Sequence, residues 1–146
     1  MKRPKSPRRK ENPVASKKPR IDKSPTGSDT ETPVWRVSTI DTGGQWGWNN
    51  MNSVTTWNGI HSKIASFESM PWTEIYKNGS HPVPVKNLCA LARKRLEELQ
   101  LDDVDRLFSL RLTGKQRIWG FKERNLLKIL WWDPNHEVCP STKNHT

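Results

Sequence analysis

Apolar and polar residues alternate most regularly in the stretch LFSLRLTGKQRIWGFKERNLLKILWWDPNHE, which covers residues 107–137. Three apolar runs are separated by short polar segments that contain Gly114 and Asn125, residues suited to tight turns. Pro134 lacks the amide hydrogen that a strand ladder needs, so it ends the third run. The pattern predicts an antiparallel meander of three strands. These predicted strands span 107–112, 116–121 and 126–132.

The same alternation assigns side chains to the two faces of the meander. In the second run, Arg117 and Trp119 are expected to share one face. In the third run, Leu127, Ile129 and Trp131 are expected to do so. The third run is apolar on nearly both faces, which is typical of an interior, covered strand.

The chain ahead of the meander predicts one strand and two main helices. WRVSTI at 35–40 alternates as a strand does, and apolar residues spaced by three and four predict helices over 55–69 and 86–101. Pro71 opens a short helical turn. KNGSHPVPV at 77–85 should be irregular and extended, because a residue before proline avoids the α conformation. The predicted apolar helix faces are Trp57, Ile60, Ile64 and Phe67, and then Leu88, Leu91, Ala92, Leu96 and Leu99.

The predicted order is therefore strand, helix, short helix, helix and three strands, or β-α-α-β-β-β. The first strand has no neighbour in sequence with which to form a hairpin, so it must join the sheet through a long crossover. We expect a small α+β domain with an antiparallel sheet and with its helices packed on one face.

Composition separates a basic arm from this domain. Residues 1–33 contain no aromatic residue and carry ten Lys and Arg against four acidic residues, whereas all eight Trp lie further along the chain. A segment with so little to bury cannot offset its ordering entropy, so we expect a disordered arm over 1–33 and a folded domain over 34–146. The arm has three interpretations: a solvated extension, a nuclear import signal suggested by KRPK and KKPRIDK, or a phosphate-binding segment. In the last of these, Lys17, Lys18 and Arg20 would contact nucleic acid.

Several classes of site and location are not expected. Cys89 and Cys139, without a stretch typical of a signal peptide, indicate free thiols in a reducing compartment, here the cytoplasm. No apolar run approaches the roughly 20 residues of a membrane-spanning helix. The spacing of His136 and Cys139 is insufficient to predict zinc, and neither GxxxxGK[ST] nor GxGxxG occurs. We therefore expect no cofactor.

Two tryptophans lie in a glycine-rich stretch that must be a loop. Trp46 and Trp48 follow DTGG. They could form a stacking platform for bases, or they could fold back over the core. We favour the second interpretation, because tryptophan is usually buried.

The meander, preceded by a strand and two helices in a small basic domain, resembles the RelE/ParE superfamily of bacterial toxins. The resemblance covers roughly 34–138, and the ending ILWWDPNHEVCPS is similar to a group of uncharacterised bacterial proteins. It implies metal-independent cleavage of mRNA at the ribosome, as in RelE-like, YoeB-like and HigB-like members, or gyrase poisoning, as in ParE-like members. It also implies an acidic antitoxin as a partner.

The resemblance further assigns roles to residues. In the cleaving members a 2′-hydroxyl attacks the adjacent phosphate, which requires a base, an acid and cations. Arg117 matches the core arginine of the family and would stabilise the phosphate, with help from Lys115. His136 matches the place of a catalytic His or Tyr and could act as acid or base, with Glu137 as the nearest carboxylate. Arg111 and Arg124 are further candidates for nucleic-acid contact.

A different class of function is also consistent with the residues. The chain could be a non-catalytic module that binds nucleic acid through the arm and a protein through a Trp-rich surface. Arg117 would then be an exposed strand residue paired with Glu123 or Asp105, and His136 a turn residue at a strand end.

Overall fold

The computed structural model describes residues 27–140, and the predictions for Lys17, Lys18 and Arg20 lie outside the described residues. Within this range the chain is an α+β fold with a five-stranded mixed sheet and three α-helices. The strands are β1 (Val34–Arg36), β2 (His81–Pro84), β3 (Arg106–Arg111), β4 (Arg117–Glu123) and β5 (Leu126–Asp133). The α-helices are α1 (Val54–Phe67), α2 (Trp72–Lys77) and α3 (Ala90–Glu98). Short 3-10 turns occupy Gly27–Thr30, Trp48–Asn50 and Val85–Asn87.

The three-stranded meander is present, but the sheet around it is not wholly antiparallel. The strand order is β1-β5-β4-β3-β2. The first strand is shorter than predicted and pairs in parallel with β5, with Trp35 opposite Leu127. The prediction of an antiparallel sheet is wrong for this pair, because a long crossover, unlike a hairpin, can return the chain in the same direction.

The segment expected to be irregular contains an edge strand. β2 pairs with β3 in antiparallel fashion, with His81 opposite Ser109 and Val83 opposite Leu107. Its two prolines are tolerated because one side of an edge strand faces no partner and needs no amide donors there.

Helices cover both faces of the sheet, so the prediction of a single covered face is wrong. Consecutive residues of a strand point to opposite sides, and in β4 Ile118 packs with α1 and α2 whereas Trp119 packs with α3. Leu107 and Phe108 of β3 divide in the same way. A meander that is apolar on both sides needs a cover on both sides.

A β-bulge in β5 changes which side chains share a face. Trp119 lies opposite Trp131, but Gly120 lies opposite Ile129, which leaves Leu130 as an extra residue in β5. Alternation therefore breaks at this point. Trp131 packs beneath α3 while Ile129 stays beneath α1 and α2, so the predicted common face of these two residues is wrong.

The starts of α1 and α3 decide which of their predicted apolar residues are buried. Ser53 caps α1, and its hydroxyl accepts a hydrogen bond of 3.1 Å from the amide of Thr56. Trp57 and Leu91, both in the first turn of their helices, were predicted to be buried but are 41% and 58% exposed. Leu91 was placed on the buried face by a helical periodicity counted from residue 86. The helix begins only at Ala90, so the residues before it are not helical and the count does not apply.

Residues 27–33, assigned to the arm by composition, belong to the folded domain. The Asp29 carboxylate pairs with Lys122 Nζ at 3.0 Å. The amide of Trp72 donates to the carbonyl of Glu31 at 3.1 Å. These single polar contacts leave no signature in composition.

Most of the tryptophans are part of the core or pack against it. Trp46 and Trp48 fold back as expected, with ring centroids 5.5 Å from Trp131 and 5.8 Å from Trp132. Of the eight tryptophans, all within the described range, Trp57 is the one with an exposed side chain. Few tryptophan rings are therefore available to the Trp-rich surface of the alternative function, which stays a prediction.

Candidate functional site

An open cleft of about 260 Å³ lies on the α3 face of the sheet, beside the turn between β3 and β4. We call it the Arg117 cleft. The side chains that define it are His81, Ser109, Arg117, Trp119, His136 and Cys139.

Strand register explains how residues distant in sequence meet there. His81, Ser109 and Trp119 are successive partners across β2, β3 and β4. Arg117 lies two residues before Trp119 and therefore on the same face. The structure thus brings together Arg117 and His136, which the sequence proposed as site residues, and adds His81 and Ser109.

Arg117 is anchored at one end of its guanidinium. The side chain is 8% exposed, and Nη1 donates to the carbonyls of Thr113 at 2.9 Å, Gly114 at 3.2 Å and Gln116 at 3.1 Å. All three of these bonds, which join Arg117 to described residues of the β3–β4 turn, come from Nη1.

The pairing of Arg117 with Glu123 or Asp105 is wrong, because Arg117 is buried and Glu123 instead pairs with Lys128 at 3.0 Å. Burial and the nearby Arg111 guanidinium lower the pKa of Arg117, and Asp133 opposes them. An arginine stays protonated despite such a shift, so the cleft carries a buried positive charge.

Arg111 adds a second cation at the rim. It is the register partner of Arg117, and its side chain lies against Gly79, which borders the cleft. Its Nε donates to the Thr113 carbonyl at 3.3 Å. Two guanidinium groups on adjacent strands form an arrangement that favours a phosphate.

The turn that presents His136 is held by a buried carboxylate. Asp133, at the end of β5, accepts hydrogen bonds from the amides of Glu137 at 2.9 Å and Val138 at 3.0 Å. It also accepts one from Trp119 Nε1 at 3.1 Å. His136 lies within this turn at a φ of 58°, so its direction is set by backbone geometry.

The surroundings of His136 favour its neutral form. Burial lowers the pKa of His136 below its usual range, Arg117 and Arg111 lower it further, and Asp133 opposes them. At pH 7 the ring therefore has a nitrogen lone pair that can accept a proton.

His81 is the site residue that sequence reasoning missed. Its Nδ1 lies 3.0 Å from the Pro82 carbonyl oxygen, and because a carbonyl can only accept, this contact is a hydrogen bond when Nδ1 carries a proton. Nε2 is then the ring nitrogen that can exchange a proton with a ligand. The signal was present in the alternation of His81 and Val83 with two prolines, a pattern compatible with an edge strand.

Other predicted site residues lie outside the cleft. Lys115 is exposed on the turn between β3 and β4 and does not line it. The Glu137 carboxylate accepts instead from Gln45 Nε2 at 3.3 Å and Trp46 Nε1 at 3.4 Å. Arg124 lies in the turn after β4, at the opposite end of that strand from Arg117.

A larger groove of about 650 Å³ lies at that opposite end of the meander. Its lining mixes acidic and basic side chains and contains no histidine. The charged residues are Asp103, Asp105, Arg106, Lys122, Glu123 and Lys128. Its carboxylates would repel a phosphate, which makes this groove a weaker candidate for phosphodiester chemistry than the Arg117 cleft with its two neighbouring guanidinium groups.

The described residues contain neither a cluster of metal ligands nor a membrane-spanning helix. Among residues 27–140, no three His, Cys, Asp or Glu side chains are grouped so that they could hold a metal ion. No helix in the same range has the length and apolar character needed to cross a membrane.

No protein-family model, curated protein or solved structure matches the chain. The resemblance to RelE/ParE toxins therefore stays a prediction, and the functional argument depends on the cleft.

Proposed function

We propose that the protein is a toxin-like, metal-independent endoribonuclease that cleaves mRNA, free or at the ribosome, in the Arg117 cleft. The observation that supports this most is that one cleft is lined by two histidines and a buried guanidinium. A pair of proton-transfer groups beside a fixed cation is what phosphodiester transfer requires.

The chemistry can be assigned atom by atom. His136, favoured in its neutral form, takes the proton of the 2′-hydroxyl as the new O2′–P bond forms. His81, as the imidazolium ion with a proton on each ring nitrogen, delivers its Nε2 proton to the leaving O5′ as the P–O5′ bond breaks, while Nδ1–H keeps its bond to the Pro82 carbonyl. Arg117, with Arg111 at the rim, stabilises the negative charge that accumulates on the phosphorane oxygens. The products are a 2′,3′-cyclic phosphate and a 5′-hydroxyl.

This assignment predicts that the substrate is RNA. The nucleophile is the 2′-hydroxyl of the substrate, so a strand with a deoxynucleotide at the scissile position should bind but not be cut. The arrangement also supplies its cations from the chain, so cleavage should continue in the presence of EDTA.

Cleavage of a synthetic RNA by the full chain in EDTA, with product ends identified by mass spectrometry, tests the proposal. We expect His136→Gln and His81→Gln to lower the rate by about 100-fold or more, the usual contribution of an acid or base. His61→Gln is the matched control, because His61 is an exposed histidine on α1 that does not line the cleft.

Induction in a bacterial host provides the cellular counterpart. The parent chain should arrest growth, and the His136→Gln variant should not at equal protein level. Normal growth with the soluble parent chain, together with intact RNA in the cleavage assay, would disprove the proposal and favour a nucleic-acid-binding module that works through the arm.

A further inference from the structure

The segment that follows β5 returns to the start of α3 and brings two cysteines together. The amide of Cys89, the residue before α3, donates to the carbonyl of Val138 at 2.8 Å. Cys139 is the next residue, so its backbone runs beside that of Cys89.

The thiol of Cys139 also points toward this part of the chain. Its Sγ donates to the carbonyl of Asn87 at 3.4 Å, and Asn87 is two residues before Cys89. Both thiols are free and half-buried. Burial raises the pKa of Cys139, and the charge of Cys89 raises it further, as expected for two neighbouring thiols.

We infer that Cys89 and Cys139 are a dithiol modification site that closes to an intramolecular disulfide when it meets a low-molecular-weight disulfide such as oxidised glutathione. A disulfide requires Cα atoms within roughly 7 Å of each other, and adjacent hydrogen-bonded backbones provide that spacing. Cys139 borders the open Arg117 cleft, so a small oxidant can reach it.

The exchange is balanced in two steps. One cysteine thiolate attacks a sulfur of oxidised glutathione, which forms a mixed disulfide and releases one glutathione thiolate. The second cysteine thiolate attacks the protein sulfur of that mixed disulfide, which forms the Cys89–Cys139 bond and releases the second glutathione. The protein loses two electrons and two protons, and the small disulfide is reduced to two thiols.

The site is independent of the proposed nuclease activity, although it adjoins the same cleft. Cys139 lies three residues after His136 in the turn held by Asp133. Closure would fix that turn to the start of α3 by a covalent bond.

The test treats the native full chain with oxidised glutathione and measures intact mass and linked peptides. We expect the parent to lose two hydrogens, to retain no glutathione and to yield a peptide that joins Cys89 to Cys139. The variants Cys89→Ser and Cys139→Ser should instead keep one glutathione, because no second thiol can displace it. Dithiothreitol should reverse both reactions.

Three results would overturn the inference. In the first, the parent chain stably retains two glutathiones. In the second, the disulfide joins two copies of the chain. In the third, the Cys89–Cys139 disulfide forms in denaturant but not in the native protein.

The pH dependence of the reaction gives a further check. Because the pKa of Cys139 is raised, the reaction of the Cys89→Ser variant with oxidised glutathione should accelerate as pH rises from neutral.

Discussion

At the scale of single residues, two buried carboxylates hold segments that have no regular structure. Asp133 accepts two amide hydrogen bonds and thereby sets the turn that presents His136. Asp41 has the corresponding role for the glycine-rich loop, because it binds Arg95 at 2.8 Å and Trp131 Nε1 at 2.9 Å. In each case one side chain fixes a loop that packing alone would leave under-determined.

The first residue-scale prediction concerns the titration of His136. Arg111 is exposed, and its positive charge is one cause of the lowered pKa of His136. Arg111→Gln should raise that pKa, which NMR titration of the ring can measure without any assay of activity. Arg124→Gln removes an exposed cation at the far end of β4 and should leave the titration unchanged. An equal shift in both variants would contradict the electrostatic account of the cleft.

The second residue-scale prediction concerns acid stability. Burial acts to raise the pKa of Asp41, but hydrogen bonds from Arg95 and Trp131 outweigh it and the net pKa is lowered. A group with a lowered pKa stabilises the fold above its unfolded pKa and loses that effect as pH falls through its folded pKa. Asp41→Asn should therefore destabilise the protein at neutral pH by about 2 kcal/mol, and the difference should narrow below about pH 4.

Urea unfolding of both proteins at neutral and acidic pH measures this difference directly. Asp103→Asn, an exposed carboxylate in the turn before β3, is the matched control and should show little change. If the free energies of unfolding of the parent and Asp41→Asn differ by the same amount at every pH, the ionised carboxylate is not the stabilising group.

At the scale of elements, two glycines should respond to alanine in opposite directions. A Cβ at Gly120 would collide with the carbonyl oxygen of Lys128 beside the bulge, whereas a Cβ at Gly59 would meet nothing within 4 Å. Gly120→Ala should therefore destabilise the sheet by roughly 1–3 kcal/mol. Gly59→Ala should stabilise α1 by about 0.5–1 kcal/mol, because alanine is the better helix former. Thermal unfolding of both variants and the parent measures these changes in stability. A Gly120→Ala variant as stable as the parent would mean that the bulge relaxes easily.

The elements also indicate how far sequence patterns extend. The meander and α1 follow from periodicity, because local alternation and spacing determine them. The bulge at Leu130 does not, because it depends on how two strands meet. β2 does not follow from periodicity either, because its prolines are not typical of a strand and its pairing depends on β3.

The candidate site was predictable to a similar extent. Arg117 and His136 were identified from the sequence, and the structure places both in one cleft. Glu137 instead binds Gln45 and Trp46, and His81 lines the cleft. Both results depend on contacts between residues that are distant in sequence. Such contacts leave no periodic trace.

At the scale of the whole molecule, charge is divided very unevenly. Residues 27–140 carry 14 Lys and Arg against 13 Asp and Glu, whereas residues 1–26 carry ten against two. Binding of the full chain to RNA by counterion release should therefore depend mainly on the N-terminal segment.

Removal of residues 2–23 tests this division of roles. The truncated chain should bind single-stranded RNA more weakly, and the slope of log affinity against log salt should become several units shallower, since each contacted phosphate contributes about 0.7. The cleavage rate at saturating RNA should persist, because the cleft remains intact. Fluorescence anisotropy over a salt series measures the slope, and an unchanged slope would place RNA binding in the folded domain.

The parallel pairing of β1 with β5 has a consequence for biosynthesis. β1 is the first strand of the sheet to leave the ribosome, and its partner β5 is the last. The nascent chain must therefore hold β1 unpaired until the meander is complete, and the sheet can close only after synthesis has passed residue 133. Such a long-range pairing slows folding and leaves incomplete chains without their interior strand, so these chains should be readily degraded by cellular proteases.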